Sequence, residues 1–291
     1  MITFFKEYNI NIFDSSPILF SHNSTPGNAQ SPHFHDFAEL YMFVSGDSGY
    51  YIDGRVYDLE SGDLVLVLPN ELHRPLVRSD AVYDRFFIKL STSCFQHLGE
   101  GQTSPVWFID PGEGGQTKGG LLRLEPGERR DVMYAFRTID KLHDADAADS
   151  GTASYSLLLS LLSTVGEAIR QKKFAAKSSL PPMIETLITS LDENLAFPPT
   201  IEATAKSFGV SASYLSRIFK RYMGMGFSEY LSAARISQAK KLLSSGATVT
   251  EVCYECGFAD CSHFISVFKR QVGMTPNKYR KIGGNGTGSF G

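Results

Sequence analysis

One segment of this chain occurs twice, and that constrains its fold more than any other feature. Leu215-Ser-Arg-Ile218-Phe219-Lys220-Arg221-Tyr-Met-Gly224-Met225 aligns without gaps on Phe264-Ile-Ser-Val267-Phe268-Lys269-Arg270-Gln-Val-Gly273-Met274, an offset of 49 residues. In both copies apolar residues recur at i, i+3 and i+4, which places them on one buried helix face, and Lys-Arg follows where a helix macrodipole favours cations. Upstream of the first copy lie Ala205, then Gly209, then Leu215. Two helices joined by a sharp turn need a small residue where they touch, a glycine for the left-handed turn and an apolar anchor on the second helix. Ser211 is placed to cap that second helix, leaving Ala212, Ser213, Ser216 and Arg217 on its open side. The second copy runs from Val249 to Glu255, then Gly257, Asp260 as cap and Phe264 as anchor, with one extra residue in the turn. Between the copies Phe227 to Leu243 has a helical pattern that includes Leu231, Ile236, Ala239 and Leu243. A helix of that length, roughly 25 Å, can set the two units about one turn of B-DNA apart, so that they enter successive major grooves.

Charge agrees with that reading. The part from Ser178 onward has 12 Lys and Arg against 8 Asp and Glu, while the first 177 residues have 16 against 23, so a net of −3 divides into +4 and −7. Such asymmetry favours one half meeting a polyanion. At 291 residues the chain is long enough for two domains, and 42% hydrophobic with 20% charged residues excludes a disordered or collagenous protein. The longest aliphatic run, Leu64 to Leu68, is far short of a membrane span, and the start lacks the basic-then-apolar order of a signal peptide. A cytoplasmic protein with reduced Cys94, Cys253, Cys256 and Cys261 is expected.

Residues 1–110 read as all-β, with short runs such as Glu39 to Val44, Gly49 to Ile52, Leu64 to Leu68 and Arg85 to Leu90 between turn signals. A sandwich or small barrel follows. Residues 111–177 begin with a Gly-rich stretch and turn helical. There Leu158, Leu161, Leu162, Val165 and Ile169 form one apolar stripe that packs on the barrel, forms a homodimer seam, or does both. Lys172-Lys173 and Ser178-Ser179 mark a linker, Pro181 opens a helix, and residues 178–283 are helical throughout. Residues 284–291 are expected to be a disordered tail.

With these residues in place, the last hundred or so positions resemble the AraC/XylS transcription regulators. IEATAKSFGVSASYLSRIFKRYMG and ARISQAKKLLSSGATVTEVCYECGFADCSHFISVFKRQVGMTPNKYR carry the likeness. The resemblance implies double-stranded promoter DNA as partner, with bases read from Ser213, Ser216 and Arg217 in the first copy and from Cys261, Ser262, His263 and Ser266 in the second. Ser266 departs from the family, which commonly has Arg or Lys there. The first copy is therefore expected to specify sequence and the second to position through Lys269 and Arg270, with Lys220 and Arg221 as the equivalent pair.

In the β half, His33-Phe-His35 followed by Glu39 and Gly46, then Pro69-Asn70-Glu71-Leu72-His73, resembles the two motifs of cupin barrels. On a strand, residues two apart face the same way, so His33 and His35 can join Glu39 and His73 in a site suited to Zn, Fe, Mn, Ni or Cu. Sensor domains of this regulator family are themselves cupin-like and typically work without a metal, so the same four residues, with Tyr41, can instead line an effector pocket. Phe43, Tyr50 and Trp107 are further candidate aromatic walls, with Arg85 or Arg123 as polar partners. Cys253-x2-Cys256-x4-Cys261-x-His263 has a zinc-like spacing, but helical geometry accounts for the cysteines as small buried groups.

A multidomain α+β protein is thus expected: an N-terminal cupin-like effector barrel, a helical dimerisation segment and a C-terminal all-α domain with two helix-turn-helix units. No catalysis and no obligatory cofactor are expected. The resemblance implies activation as the usual mode, a sugar-like effector, RNA polymerase as partner and a homodimer. The alternative is a metal-dependent cupin enzyme fused to a DNA-binding unit.

Overall fold

The computed structural model of the chain describes residues 2–4, 18–26, 32–91, 98, 104–109, 118–144, 150–175 and 180–283. Cys94, Ser178-Ser179 and the 284–291 tail lie outside the described residues. Two compact units are present: Met1–Gln30, His35–Ile52 and Val56–Ser179 belong to one, and Leu180 onward forms the body of the other.

Among the described residues the first unit is built on nine strands: β1 (Ile2–Phe4), β2 (Ile18–Pro26), β3 (Ala38–Ser45), β4 (Ser48–Ile52), β5 (Arg55–Asp58), β6 (Leu64–Val67), β7 (His73–Val77), β8 (Val82–Leu90) and β9 (Gly120–Leu122). They form a six-stranded sheet in the order β1-β2-β8-β3-β6-β9 and a three-stranded sheet in the order β5-β4-β7. Strand alternation sorts their side chains. Tyr41 and Phe43 of β3, Val65 and Val67 of β6 and Phe87 of β8 meet Tyr50, Ile52 and Tyr57 of the smaller sheet in one buried aromatic cluster. The intervening Leu40, Met42, Leu64, Leu66, Phe86 and Ile88 form a second cluster on the opposite face.

That opposite face is covered by α1 (Pro126–Asp144) and α2 (Ser150–Arg170). The stripe Leu158, Leu161, Leu162, Val165 and Ile169 is buried there with Val132, Phe136 and Ile139 of α1. Packing within the chain is thus one role of this stripe. Beyond residue 110, β9 pairs with β6, Leu122 bridges to Phe174, and the compact unit continues to Ser179. The described residues 118–144 and 150–175 therefore supply a strand and a helical cover for the sheet, because a sheet with apolar side chains on both faces needs a layer on each.

The second unit is all helical: α3 (Pro182–Glu193), α4 (Ile201–Ser207), α5 (Ala212–Met223), α6 (Phe227–Ser244), α7 (Val249–Glu255), α8 (Cys261–Val272) and α9 (Pro276–Gly283). Pro181 immediately precedes α3, whose Ile184, Leu187, Ile188 and Leu191 are buried. The two halves of α6 serve different copies of the repeat. Tyr230 meets Phe219 of α5 at a ring separation of 5.5 Å, whereas Ile236, Ala239 and Leu243 enter the cluster formed by Val252, Cys253, Phe264, Val267 and Phe268. Leu231, read as core from the pattern, is only half buried. No helix among the described residues is long and apolar enough to cross a membrane.

Candidate nucleic-acid interface and ligand site

The two repeat copies fold with the same local chemistry. In the first, Ser211 Oγ accepts from Tyr214 N–H at 3.2 Å, Gly209 sits at φ 66°, and Ala205 and Leu215 are buried where the two helices meet. In the second, the Asp260 carboxylate accepts from Ser262 N–H at 3.1 Å and His263 N–H at 2.9 Å, Gly257 sits at φ 78°, and Cys253 and Phe264 are buried. A side chain on Gly257 would meet the Ala196 backbone at 2.6 Å, so this turn needs glycine for space as well as for its positive φ. Both second helices stop on left-handed glycines, with Gly224 N–H donating to Lys220 O and Gly273 N–H to Lys269 O.

Burial decides which side chains remain for a partner. On α5, Ser213, Ser216, Arg217, Lys220 and Arg221 are exposed beside Ser211, with Ala212 half buried. The Arg217 guanidinium lies 5.6 Å from the Tyr214 ring centre, which limits the directions it samples. On α8, Ser262, His263, Ser266, Lys269 and Arg270 are exposed, while Cys261 is half buried. Tyr214, Tyr254 and Ile265 are also exposed. Reasoning from the sequence did not single these out, because an exposed aromatic next to a buried one carries no distinct local pattern.

The cysteines do not assemble a zinc site among the described residues. Cys253 and Cys256 are buried in the apolar cluster, and burial is the first cause pushing each thiol up to about 12. Cys253 Sγ donates weakly to Phe258 O at 3.8 Å.

Asp260 gives a pH prediction. Hydrogen bonds from the His263 and Ser262 N–H groups hold its carboxyl below the ordinary value of 3.8. A depressed folded-state value means that the cap contributes fully above the unfolded value and is lost as pH falls through the folded one. Asp260→Ala is therefore expected to lower the denaturation midpoint at neutral pH, with the gap from the parent narrowing below pH 3.8. Equal gaps at both pH values in denaturant titrations would contradict the capping role.

In the first unit, three of the four residues of the cupin-like motif come together. His35, Glu39 and His73 each offer a ligand atom, and these atoms lie within 4.8 Å of one another. His33 is not in that group. It is exposed, and β3, whose alternation was to align it with His35, begins only at Ala38. His35 instead immediately precedes a bend at Asp36-Phe37, its Nδ1 2.8 Å from Phe37 O and its ring stacked on Phe37 at 3.7 Å. His73 Nδ1 is 2.8 Å from Glu71 O, and its ring lies 6.3 Å from that of Tyr50 at an interplanar angle of 4°. Asn70 N–H donates to His35 O at 2.7 Å, tying the two histidine-bearing segments together. Glu71 takes bonds from Leu68 N–H at 2.7 Å and Gly119 N–H at 2.8 Å. Glu39 is buried, and desolvation raises its carboxyl above the usual 4.5 against the opposing effects of Lys89 and a hydrogen bond with Tyr50.

The aromatic walls divide. Tyr41, Phe43 and Tyr50 do face the interior, but all are packed core residues, and the Tyr41 hydroxyl is bonded to that of Tyr83. Trp107 lies on the other side of the sheet, packed against the helix-facing cluster, with Arg170 over its ring at 4.9 Å. Arg85 is buried and donates to Tyr83 O, Asn23 O and Thr25 Oγ1. Arg123 faces the buried Asp63 carboxylate at 3.5 Å, beside Arg129 at 3.3 Å. It is thus placed in an ion pair that holds Asp63.

A two-sheet domain with a cluster of His35, Glu39 and His73 beside its aromatic core, carried on one chain with a tandem helix-turn-helix unit, defines a DNA-binding regulator with its own ligand-binding domain. Comparison with known proteins agrees. Residues 17–111 match the AraC-like ligand binding domain and residues 204–282 match a helix-turn-helix domain. The chain belongs to the AraC family of transcription regulators. Relatives include the uncharacterised HTH-type transcriptional regulator YfiF of Bacillus subtilis strain 168, 27% identical over 86% of this chain and 78% of that protein. The HTH-type transcriptional activator RhaR of Cronobacter sakazakii is 26% identical over 88% of both chains. The crystal structure of ToxT from Vibrio cholerae O395 is 14% identical, covering 91% of this chain and 98% of that one with a TM-score of 0.37. YfiF and RhaR are named regulators, and this chain is a transcription regulator, not a cupin enzyme.

Proposed function

We propose that this regulator is an activator that responds to a small, hydroxyl-rich, sugar-like effector and acts on double-stranded promoter DNA in the cytoplasm. It works as a homodimer, the commonest closed assembly, and contacts RNA polymerase. The observation that carries the effector reading is the interior of the first unit, where the hydroxyls of Tyr41, Tyr50 and Tyr83 and the polar groups of His35, Glu39 and His73 lie among aromatic rings. Aromatic faces and a few fixed polar groups are what a sugar's C–H surfaces and hydroxyls require. That RhaR is named an activator supports the mode of action. DNA contacts fall to Ser211, Ala212, Ser213, Ser216, Arg217, Lys220 and Arg221 in the first copy, and to Cys261, Ser262, His263, Ser266, Lys269 and Arg270 in the second. Effector binding changes DNA affinity only by favouring one of two arrangements of the domains, and the segment near residue 178 is the joint between them.

The test is a thermal melt of the full-length protein against a panel of sugars and related metabolites, with and without chelator. A ligand at 100 times its dissociation constant adds about 2.7 kcal/mol to the domain that binds it, a shift of several degrees. One sugar is expected to raise the melt and to change affinity for a promoter fragment. A panel without any shift would remove the sugar reading, and a shift without a change in DNA affinity would remove the coupling.

A further inference from the structure

The second repeat copy differs from the first in one chemical respect. Where the two helices of a unit meet, the first copy has Ala205 on α4 and Ala212 at the start of α5, and the second has Cys253 on α7 and Cys261 at the start of α8. Burial matches position for position: Ala205 and Cys253 are buried, Ala212 and Cys261 half buried. The seam therefore needs only small side chains, and packing alone does not call for two thiols. The two thiols also touch. Cys253 and Cys261 are hydrogen-bonded to each other, and since the Cys253 thiol already donates to Phe258 O at 3.8 Å, it is the acceptor from Cys261. Tyr254, exposed on α7, bonds to the same Cys261 side chain.

We propose that hydrogen peroxide closes Cys253 and Cys261 into a disulfide, and that this bond loosens the hold of α8 on DNA. The second half rests on the reading of α8 as a DNA-contacting helix. Burial, followed by the contact with Cys261, pushes the Cys253 thiol up to about 12, so it stays protonated, and half-buried Cys261 is the sulfur that peroxide reaches. Cys261 gives up its proton and its sulfur attacks one peroxide oxygen; the O–O bond breaks, leaving water and a sulfenic acid. The Cys253 sulfur then attacks the Cys261 sulfur, the S–O bond breaks, and the hydroxyl leaves as water with the Cys253 proton. Two thiols are oxidised, one peroxide is reduced to two waters, and a dithiol reductant reverses the change. Cys253 is the resolving thiol, diverting the sulfenic acid from irreversible oxidation. A disulfide is about 2.05 Å long, shorter than the separation of hydrogen-bonded thiols, so closing it draws the first turn of α8 toward α7. That turn carries exposed Ser262 and His263, whose N–H groups are held by the Asp260 carboxylate.

The experiment treats reduced full-length protein with a small excess of hydrogen peroxide, blocks the remaining thiols with an alkylating reagent and maps the peptides by mass. Cleavage after Glu255 separates Cys253 from both Cys256 and Cys261. A fragment carrying Cys253 linked to Cys261, released by dithiothreitol, is expected in the parent, which needs no variant to fold, and in Cys256→Ala. It is expected to be absent from Cys253→Ala, which copies the residue of the first repeat copy and binds DNA as the reduced parent does. Affinity of the parent for a duplex selected by its reduced form is expected to fall about two- to tenfold on oxidation, the effect of one lost hydrogen bond, and to return with dithiothreitol. Retention of both thiols, a bond from Cys253 to Cys256, or Cys261 taken to the sulfinic acid without a bond would each overturn the pairing. A bond that forms without lowering affinity would overturn the control of DNA binding. A reduced parent that selects no duplex would overturn that control together with the DNA-contact reading, and the peptide map decides the pairing independently of both.

Discussion

Phe264→Ala is expected to cost the helical unit about 3–5 kcal/mol, the usual range for truncating a buried phenylalanine. Its side chain is fully buried at the centre of the second repeat copy, with ring centres 5.1 Å from Phe258 and 5.7 Å from Phe268, which in turn meets Tyr279 at 5.6 Å. The cavity left by alanine cannot be refilled from within α8, because the neighbouring positions Ile265 and Ser266 face outward. A domain of this size has roughly 5–15 kcal/mol in total, so a third or more of its stability goes. Equilibrium denaturation followed by far-UV circular dichroism should show a lower midpoint with little change in slope. Ser266→Ala, exposed on the same helix, is the control and should stay within about 0.5 kcal/mol of the parent. A parent-like midpoint for Phe264→Ala would mean that α8 is not held through this ring.

The helical unit was largely legible in the sequence and the sheet unit less so, for a physical reason. Caps and left-handed turns are local: Ser211, Asp260, Gly209 and Gly257 act within a few residues, so their roles can be read directly and were found in place. The β half depends on partners distant in the chain. Both faces of the large sheet are covered, so Tyr41 and Met42 on successive positions of β3 are equally buried and the alternation that identifies a strand face disappears. β2 and β9 were not recognised, because their pairings with β8 and β6 span tens of residues. The apolar stripe of α2 was visible, but which surface it covers was not. The same limit explains the ligand site. The spacing of His35, Glu39 and His73 was legible, whereas exclusion of His33 depends on β3 beginning at Ala38, which the adjoining sequence does not mark.

Arg217→Ala is expected to remove base preference at one position of the operator, and Lys269→Ala to weaken all sequences alike. Both side chains are exposed and both lie on the second helix of a repeat copy, but they occupy different places on it. Arg217 is in the middle of α5, beside Ser213 and Ser216 and over the Tyr214 ring, where a helix lying in the major groove meets base edges. Its planar fork can bond guanine O6 and N7 together, a discrimination of about 1–3 kcal/mol, or roughly ten- to a hundredfold between right and wrong base. Arg217→Lys keeps the charge but not the fork and should lose most of that preference while retaining nonspecific affinity. Lys269 is in the last turn of α8, where Ser266 takes the place that Arg217 holds in the other copy, so the second helix has a phosphate-directed cation but no guanidinium aimed at bases. Its removal should flatten the dependence of affinity on salt by about one ion and leave the order of preferred sequences unchanged. Selection from a randomised duplex pool, with binding measured at several salt concentrations, separates the two effects. If Arg217→Ala leaves both affinity and base preference untouched, α5 is not the reading helix; if Lys269→Ala changes which sequences are selected, the second copy reads bases after all.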